Sequence, residues 1–544
     1  MHFAVVVSAP NTRLRWRGAI RDTLPTFAQF SLAIGSALLL VLSFPDFDVS
    51  WLAWIGLVPL IVAIASANSA RQGLLIGWFW GIVFFYGTCW WLTYPMIHYA
   101  PLASGQHIPT PFAYLLLLIP VMFVALFPAL CCLLLVRVNK RFGSPAILTA
   151  PLIWISIEWL RYVVTGQVWN AIGYSQAFHP LLIQSARVGG VYAVGFLLFM
   201  MNVAVAFMLM RKFRDAACAF ALTIVFVVVL SYGSHPFPPI KPNAKVETIA
   251  IAIQPNVPMN LNGDTREAND LLQRHLTLTQ TALNDLDSGK PNTFSTKGRS
   301  RLMIWPESPM NFSYTRDPHL QDVVGNFART SRASVLLNSL EPGVNGTEHN
   351  SAVLVNEQGQ KIAQYDKIRL MPFGEYVPLP RWLPGASSVR GIVGEFTPGS
   401  SYTLMPLGAN RAGVFICIEA AHPGIARAFA NEGADLLINI SNDGYLGPTP
   451  VMRQHLANAV FRAVENDRPL VRVTNSGITA SIDANGTVWD ETHGFEQAVR
   501  TWSITENNRG TTFYTRHGDV FVYGCGLISL ACVAASFTKR KIVQ

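Results

Sequence analysis

The chain has 544 residues, about half of them hydrophobic and only 13% charged, with a formal net charge of +9. A soluble globular chain usually carries about 25% charged residues, so an ordinary soluble protein is excluded. The positions of the basic residues, given below, exclude nucleic-acid binding as the source of the charge.

Taken from the N-terminus, residues 1–26 form a mildly apolar, arginine-rich arm with Arg13, Arg15, Arg17 and Arg21. It does not read as a cleaved signal peptide, because the first long apolar run leads directly into others. A membrane span needs roughly 20 apolar residues. Runs of that kind are predicted at 27–44, 51–65, 74–92, 113–136, 146–164, 191–210 and 216–230, the second and seventh being short. An eighth lies at 520–537. Residues 27–233 are therefore expected to form a seven-span bundle, and 518–544 an eighth span with a tail. Lysine and arginine in short loops favour the cytoplasmic side. With the N-terminus inside, the inner segments also hold Arg71, Arg137, Lys140, Arg141, Arg211, Lys212, Arg214, Lys539, Arg540 and Lys541, whereas the short outer loops hold only Arg187. Both termini are thus expected inside, and the segment after the seventh span outside. Glu158 and Arg161 are charges near the outer end of the fifth span; a bundle ion pair and a functional role both fit them.

Residues 234–517 have ordinary soluble composition and open with the linker His235-Pro236-Phe237-Pro238-Pro239. Strands are expected at 247–253, 302–305, 334–337, 352–355, 413–417, 435–440, 470–473 and 479–482. Helices are expected at 265–285, 320–331, 423–431 and 452–465. The polar stretch 290–297 reads as a loop. This mixture predicts one α/β domain with a covered sheet.

Six of the seven cysteines fall in or at apolar runs and read as small buried hydrophobes; Cys417 alone lies in the soluble domain. It has no partner there for a disulfide, and no Cys/His cluster suggests a metal. A structural cysteine at a strand end and a nucleophile both remain open. Ionisable groups recur in apolar settings nearby. Glu307 follows an apolar strand in Ile304-Trp305-Pro306-Glu307-Ser308, Lys367 follows Tyr365-Asp366, Glu375 lies in Pro372-Phe373-Gly374-Glu375-Tyr376-Val377-Pro378, and Glu419 stands two residues after Cys417. A thiol needs a base to become a thiolate, and a tetrahedral intermediate needs a positive donor.

Trp305-Pro306-Glu307, Tyr365-x-Lys367 with the 372–378 stretch, and Cys417-x-Glu419 together resemble the Glu–Lys–Cys constellation of the nitrilase superfamily, and with the apolar runs they resemble its membrane-bound branch, the apolipoprotein N-acyltransferases of bacterial inner membranes. The 166–176 stretch Gly-Gln-Val-Trp-Asn-Ala-Ile-Gly-Tyr-Ser-Gln, the 439–444 stretch Asn-Ile-Ser-Asn-Asp-Gly, Arg462-x-x-Glu465-x-x-Arg468-Pro469 and Tyr514-x-x-x-Gly518-Asp519 resemble further motifs of that family. The sequence departs from the family at Ile418, where an aromatic residue is expected, at Arg369, where histidine is expected, and at Tyr445-Leu446, in place of Trp-Phe.

The resemblance implies about eight spans and an αββα nitrilase-like sandwich. It implies catalysis by Glu307, Lys367 and Cys417, with Glu375 and Glu419 in support and without metal or cofactor. An acyl chain would pass from a membrane phospholipid to a thioester on Cys417, then to the α-amine of the N-terminal diacylglyceryl-cysteine of an apolipoprotein. The enzyme is expected to act as a monomer. Tyr376, Ile418 and Tyr445 are expected to line the site, and Trp382, in the apolar loop 378–384, is expected to belong to a lid at the membrane surface. Two other readings differ in chemistry. A membrane-tethered amidase would use the same three groups but needs only one anchor. A transporter or receptor with a soluble sensor would leave the three groups unexplained.

Overall fold

The computed structural model describes residues 23–45, 47–99, 108–233, 246–259, 265–288, 299–377, 396–505 and 510–538. The apolar runs form α1 (Phe27–Ser43), α2 (Val58–Ala65), α3 (Ala70–Cys89), α4 (Thr93–His98), α5 (Thr110–Val124), α6 (Leu126–Phe142), α7 (Ala150–Thr165), α8 (Ala186–Leu209) and α9 (Phe213–Gly233). Three of the departures from the expected runs have a local reason. The run expected at 51–65 is a 3₁₀ turn, Ser50–Trp54, followed by α2, because Pro59 is best tolerated in a helix's first turn. The run expected at 113–136 divides at Ala125 into α5 and α6, with Pro120 inside the first and Pro128 opening the second. The run expected at 216–230 is longer as α9, which starts at Phe213 with Asp215 in its first turn, where a carboxylate suits the helix dipole.

The soluble domain follows in the order β1 (Val246–Gln254), α10 (Thr265–Asp287), β2 (Ser300–Ile304), α11 (Pro318–Ser331), β3 (Ser334–Pro342), β4 (Glu348–Val355), β5 (Lys361–Asp366), β6 (Leu404–Leu407), β7 (Asn410–Ile416), α12 (Pro423–Asn431), β8 (Leu436–Ser441), α13 (Val451–Asn466), β9 (Leu470–Thr474), β10 (Ala480–Ile482), β11 (Val488–Trp489) and β12 (Ala498–Thr505). The short α14 (Phe513–His517) leads into α15 (Val520–Phe537). Among the described helical segments, six are long and apolar enough to cross a membrane, and the shorter apolar segments Phe27–Ser43 and Ser50–Ala65 accompany them. The chain is a multi-pass membrane protein.

The strands form two mixed six-stranded sheets, ordered β12-β1-β2-β3-β4-β5 and β11-β10-β9-β8-β7-β6. All eight strands expected from the sequence are interior ones. The four not expected, β5, β6, β11 and β12, are the sheet edges, where only one neighbour covers the strand and polar residues are tolerated.

Alternation along the first sheet separates its two faces. Ile249, Ile251, Ile253, Met303, Val335, Leu337 and Val353 pack beneath α10 and α11. Ala250, Ala252, Leu302, Ile304, Leu336 and Leu354 join the second sheet in a core that continues through α12 and α13 into the membrane helices. The layers are thus helix, sheet, sheet, helix, with the bundle beneath the last. All residues of α13 except Met452 and Arg453 are buried.

Candidate active site

The apolar end of β7, Val414-Phe415-Ile416, is fully buried and delivers Cys417 to the start of a tight turn, Cys417–Ala421. Cys417 has φ +54°, the left-handed region that disfavours a side chain. Glu419 holds this turn. Its Oε2 accepts the Ile416 N–H at 2.8 Å. Its Oε1 accepts the N–H groups of Ile368 and Arg369 at 2.8 and 2.9 Å and the Tyr365 hydroxyl at 2.8 Å. Burial raises the Glu419 carboxyl's pKa, while the backbone bonds from Ile416 and Arg369 oppose the rise. With its oxygens so occupied, Glu419 ties the cysteine turn to the segment that carries Lys367.

Lys367 follows the edge strand β5, and its side chain is fully buried. Its Nζ lies 2.9 Å from Glu375 Oε1 and 3.6 Å from Glu307 Oε1. Burial works against the ammonium, but Glu375 and then Glu307 outweigh it and raise its pKa. Lys367 therefore remains a cation at neutral pH. Glu307 leaves the end of β2 and accepts the Asn442 N–H on Oε2 at 3.1 Å. Asn350, on β4, donates to both carboxylates through Nδ2, to Glu307 at 2.9 Å and to Glu375 at 2.6 Å. Its own Oδ1 accepts from Asn338 at 2.7 Å. Glu375 also accepts the Met371 N–H at 2.7 Å, which fixes the Phe-Gly-Glu-Tyr turn.

Burial pushes the Cys417 thiol well up, the Glu307 carboxylate adds to the rise, and the Lys367 ammonium opposes it. At neutral pH the resting group is the thiol. Becoming a nucleophile requires a base close by, and Glu307 is the charge that acts on it most strongly.

Among the expected lining residues, Ile418 is buried beside Cys417, and Tyr445 is half-buried, its hydroxyl donating to Met371 Sδ. The Cys417 and Glu307 charges both act on Tyr445, after burial, to raise its pKa. Tyr376 is half-buried, and its carbonyl closes the turn by accepting the Phe373 N–H at 2.7 Å. The lid loop with Trp382 lies outside the described residues. Glu158 and Arg161 each fasten the loop after α7. Glu158 Oε1 accepts the Ile172 N–H at 3.1 Å, and Arg161 Nη1 donates to the Trp169 carbonyl at 2.8 Å. Among the described residues no group of three or more His, Cys, Asp or Glu side chains is arranged to hold a metal ion.

Asn350 was not singled out in the sequence. The signal there was His349-Asn350-Ser351, a polar run just ahead of the apolar 352–355, which β4 extends back to include. His455 was also missed. It stands inside an expected helix, and its Nε2 donates to the Cys417 carbonyl at 2.9 Å.

Two family models match the chain: the apolipoprotein N-acyltransferase N-terminal domain at residues 36–204, and the carbon-nitrogen hydrolase at 253–512. A nitrilase-superfamily protein of Saccharomyces cerevisiae is among the similar solved structures, with 18% identity, a TM-score of 0.36, and coverage of 49% of this chain and 93% of its own. Fold and site together define a membrane-embedded enzyme of the nitrilase superfamily. The apolipoprotein N-acyltransferase of Geobacter metallireducens is 32% identical over 534 residues, which is 96% of this chain and 98% of that protein. That of Chlorobaculum tepidum is 27% identical over 566 residues, covering 96% and 99%. The chain belongs to the apolipoprotein N-acyltransferase family.

Proposed function

We propose that the enzyme moves an acyl chain from a membrane phospholipid to the α-amine of the N-terminal diacylglyceryl-cysteine of an apolipoprotein, through a thioester on Cys417. Glu307 takes the thiol proton. The thiolate attacks an ester carbonyl of the phospholipid, and Lys367 stabilises the oxyanion with a charge already in place. Glu307 returns the proton to the leaving lysophospholipid. In the second half Glu307 takes a proton from the attacking amine, the thioester carbon–sulfur bond breaks, and the thiol is restored. Dividing one hard exchange into two easier ones is the general gain of covalent catalysis. Glu375 orients Lys367, Glu419 holds the cysteine turn, and Tyr376, Ile418, Tyr445 and the Trp382 loop line or cover the site.

The observation that carries this reading is the buried Lys367 ammonium, bracketed by Glu375 and Glu307 and acting on the raised Cys417 thiol. The domain at 234–517 is assigned to the outer face of a bacterial inner membrane, with both termini cytoplasmic. Fourteen basic residues in the inner segments, against Arg187 in the short outer loops, support that orientation. Both substrates are lipids, which suits an enzyme with a whole helical bundle rather than a single anchor.

The test is transfer itself. Purified enzyme receives one defined phospholipid and a synthetic diacylglyceryl-cysteine peptide, and the N-acylated peptide and lysophospholipid are counted by mass spectrometry. Equal amounts of the two products are expected. Turnover of small soluble amides with no lipid acyl group transferred would replace this reading with an amidase.

A further inference from the structure

Helix α13 lies between the second sheet and the membrane bundle, and one of its residues is bonded into the bundle through every polar atom of its side chain. Gln454 Oε1 accepts the indole N–H of Trp91 at 3.2 Å and of Trp169 at 3.0 Å. Its Nε2 donates to the carbonyls of Pro45 at 3.1 Å and Thr88 at 3.0 Å. A carboxamide offers two acceptor sites and two donors, so this one is fully used. It is 4% exposed, and the four partners come from the end of α1, the end of α3 with the turn after it, and the loop after α7.

The next residue faces the nucleophile. His455 Nε2 donates to the Cys417 carbonyl at 2.9 Å, and its Nδ1 lies 2.9 Å from Asp443 Oδ1. Asp443 is anchored in turn by Arg472 at 2.7 Å and by the Ser441 hydroxyl at 3.0 Å. The Trp169 ring, which bonds Gln454, also stands 5.6 Å from the His455 ring. A non-glycine residue held in a sparsely populated conformation persists only where its surroundings impose it. Glu419 imposes it from the Lys367 side of the turn. The Cys417 carbonyl is held from the other side, by His455.

We propose that Gln454 and His455 are positioning residues through which the membrane bundle sets the backbone of Cys417 for acyl transfer. The bundle is then part of the scaffold of the active site, and the soluble domain cannot present its nucleophile correctly without it. This rests on the acyl-transfer reading. Neither residue bonds to Glu307, Lys367 or Glu375, so the defect on losing them falls on the rate of acylation and not on phospholipid capture.

The experiment uses the full-length enzyme in proteoliposomes and follows acylation of Cys417 by rapid quench and mass spectrometry, over a concentration series of dioleoylphosphatidylethanolamine. Gln454→Met is expected to lower the saturating rate roughly ten-fold, the effect of misplacing one buried hydrogen-bond set. The half-saturating phospholipid concentration is expected to stay unchanged. Trp169→Phe keeps an aromatic side chain but removes the N–H together with the five-membered ring of the indole. It is expected to lower the rate in the same way by a smaller factor, and it carries the test if Gln454→Met does not fold. His455→Leu is expected to lower the rate further, and His455→Gln, which retains a donor near the place of Nε2, to recover most of that loss. Native rates in Gln454→Met and His455→Leu would overturn the proposal. Equal losses in His455→Leu and His455→Gln would overturn it too, since a purely structural role distinguishes the two only by stability. Failure of the native enzyme to acylate Cys417 would instead remove the acyl-transfer reading beneath it.

Discussion

The two outer helical layers of the soluble domain differ in what lies behind them. Helices α10 and α11 cover the first sheet over a separate apolar cluster that includes Leu320, Val324 and Met303. Helices α12 and α13 cover the second sheet within a core that continues without a break into the membrane helices. The first sheet supplies Glu307 and Lys367, and the second supplies Cys417. The proposed base and the cation thus sit on a sheet with an ordinary outer cover, whereas the proposed nucleophile sits on a sheet whose cover is buried in the bundle. Polar links along α13 and just after it strengthen that attachment. Glu465 accepts the Val191 N–H at 3.0 Å, and Asp467 pairs with Arg187 at 2.9 Å. Val191 follows a kink at Gly190, whose φ is +62° and where an added Cβ would meet Tyr514 at 2.9 Å.

Substitutions at the chemical groups should give the largest effects. Cys417→Ala is expected to abolish transfer while the protein still folds. Glu307→Gln should lower the acylation rate about 10²–10⁴-fold, the usual contribution of a positioned base. Lys367→Met should lower it about 10²–10³-fold, as loss of an oxyanion donor does. Single-turnover acylation measures all three.

Core truncation separates the two layers. Leu320→Ala in α11 should cost about 2–5 kcal/mol of stability and leave the acylation rate of the folded enzyme near native. Phe429→Ala in α12 should cost about 3–5 kcal/mol and also slow acylation, because the same core supports the cysteine turn. Thermal unfolding and single-turnover rates, measured on each variant, read this contrast. Equal rates in the two variants would break it.

Each layer also contains a buried histidine. Burial lowers His275, in α10, to about 4 and His422, at the start of α12, to about 3. Both are neutral when folded, and their unfolded value is about 6.5. Between those values the unfolded chain binds more protons, so stability falls as the pH drops below about 6.5, and each histidine can contribute up to about 1.4 kcal/mol per pH unit. The melting temperature should therefore fall from pH 6.5 to 4.5, less steeply in His275→Gln or His422→Gln. The smallest effect belongs to an exposed pair. Arg316–Glu348, at 2.6 Å, should contribute only about 0.2–1 kcal/mol, measured by Arg316→Ala in denaturant unfolding and weakened by salt.

How much of this was legible in the sequence depended on burial. Interior strands and membrane helices are apolar along their length, so composition marks them. The edge strand β5, Lys-Ile-Ala-Gln-Tyr-Asp, is half covered and mixes polar with apolar residues, yet its end carries Lys367. Glu307 and Cys417 stood out because they are reactive types after apolar strands, and Lys367 because its motif, Tyr365-Asp366-Lys367, resembles that of the nitrilase constellation. Asn350, Gln454 and His455 did not, because their roles depend on partners 12 to 409 positions away, which no local pattern records. Glu419 was legible as a carboxylate near the thiol. Its work in holding the turn required the four hydrogens that it accepts from Tyr365, Ile368, Arg369 and Ile416.

The central claim, that Cys417 carries the acyl chain, is tested most directly by peptide-level mass spectrometry of the native enzyme after incubation with a single phospholipid and no acceptor. One acyl group is expected on the peptide containing Cys417, released by neutral hydroxylamine as a thioester is, with one lysophospholipid formed per enzyme. An enzyme that transfers acyl chains to the acceptor while that peptide stays unmodified would contradict the account.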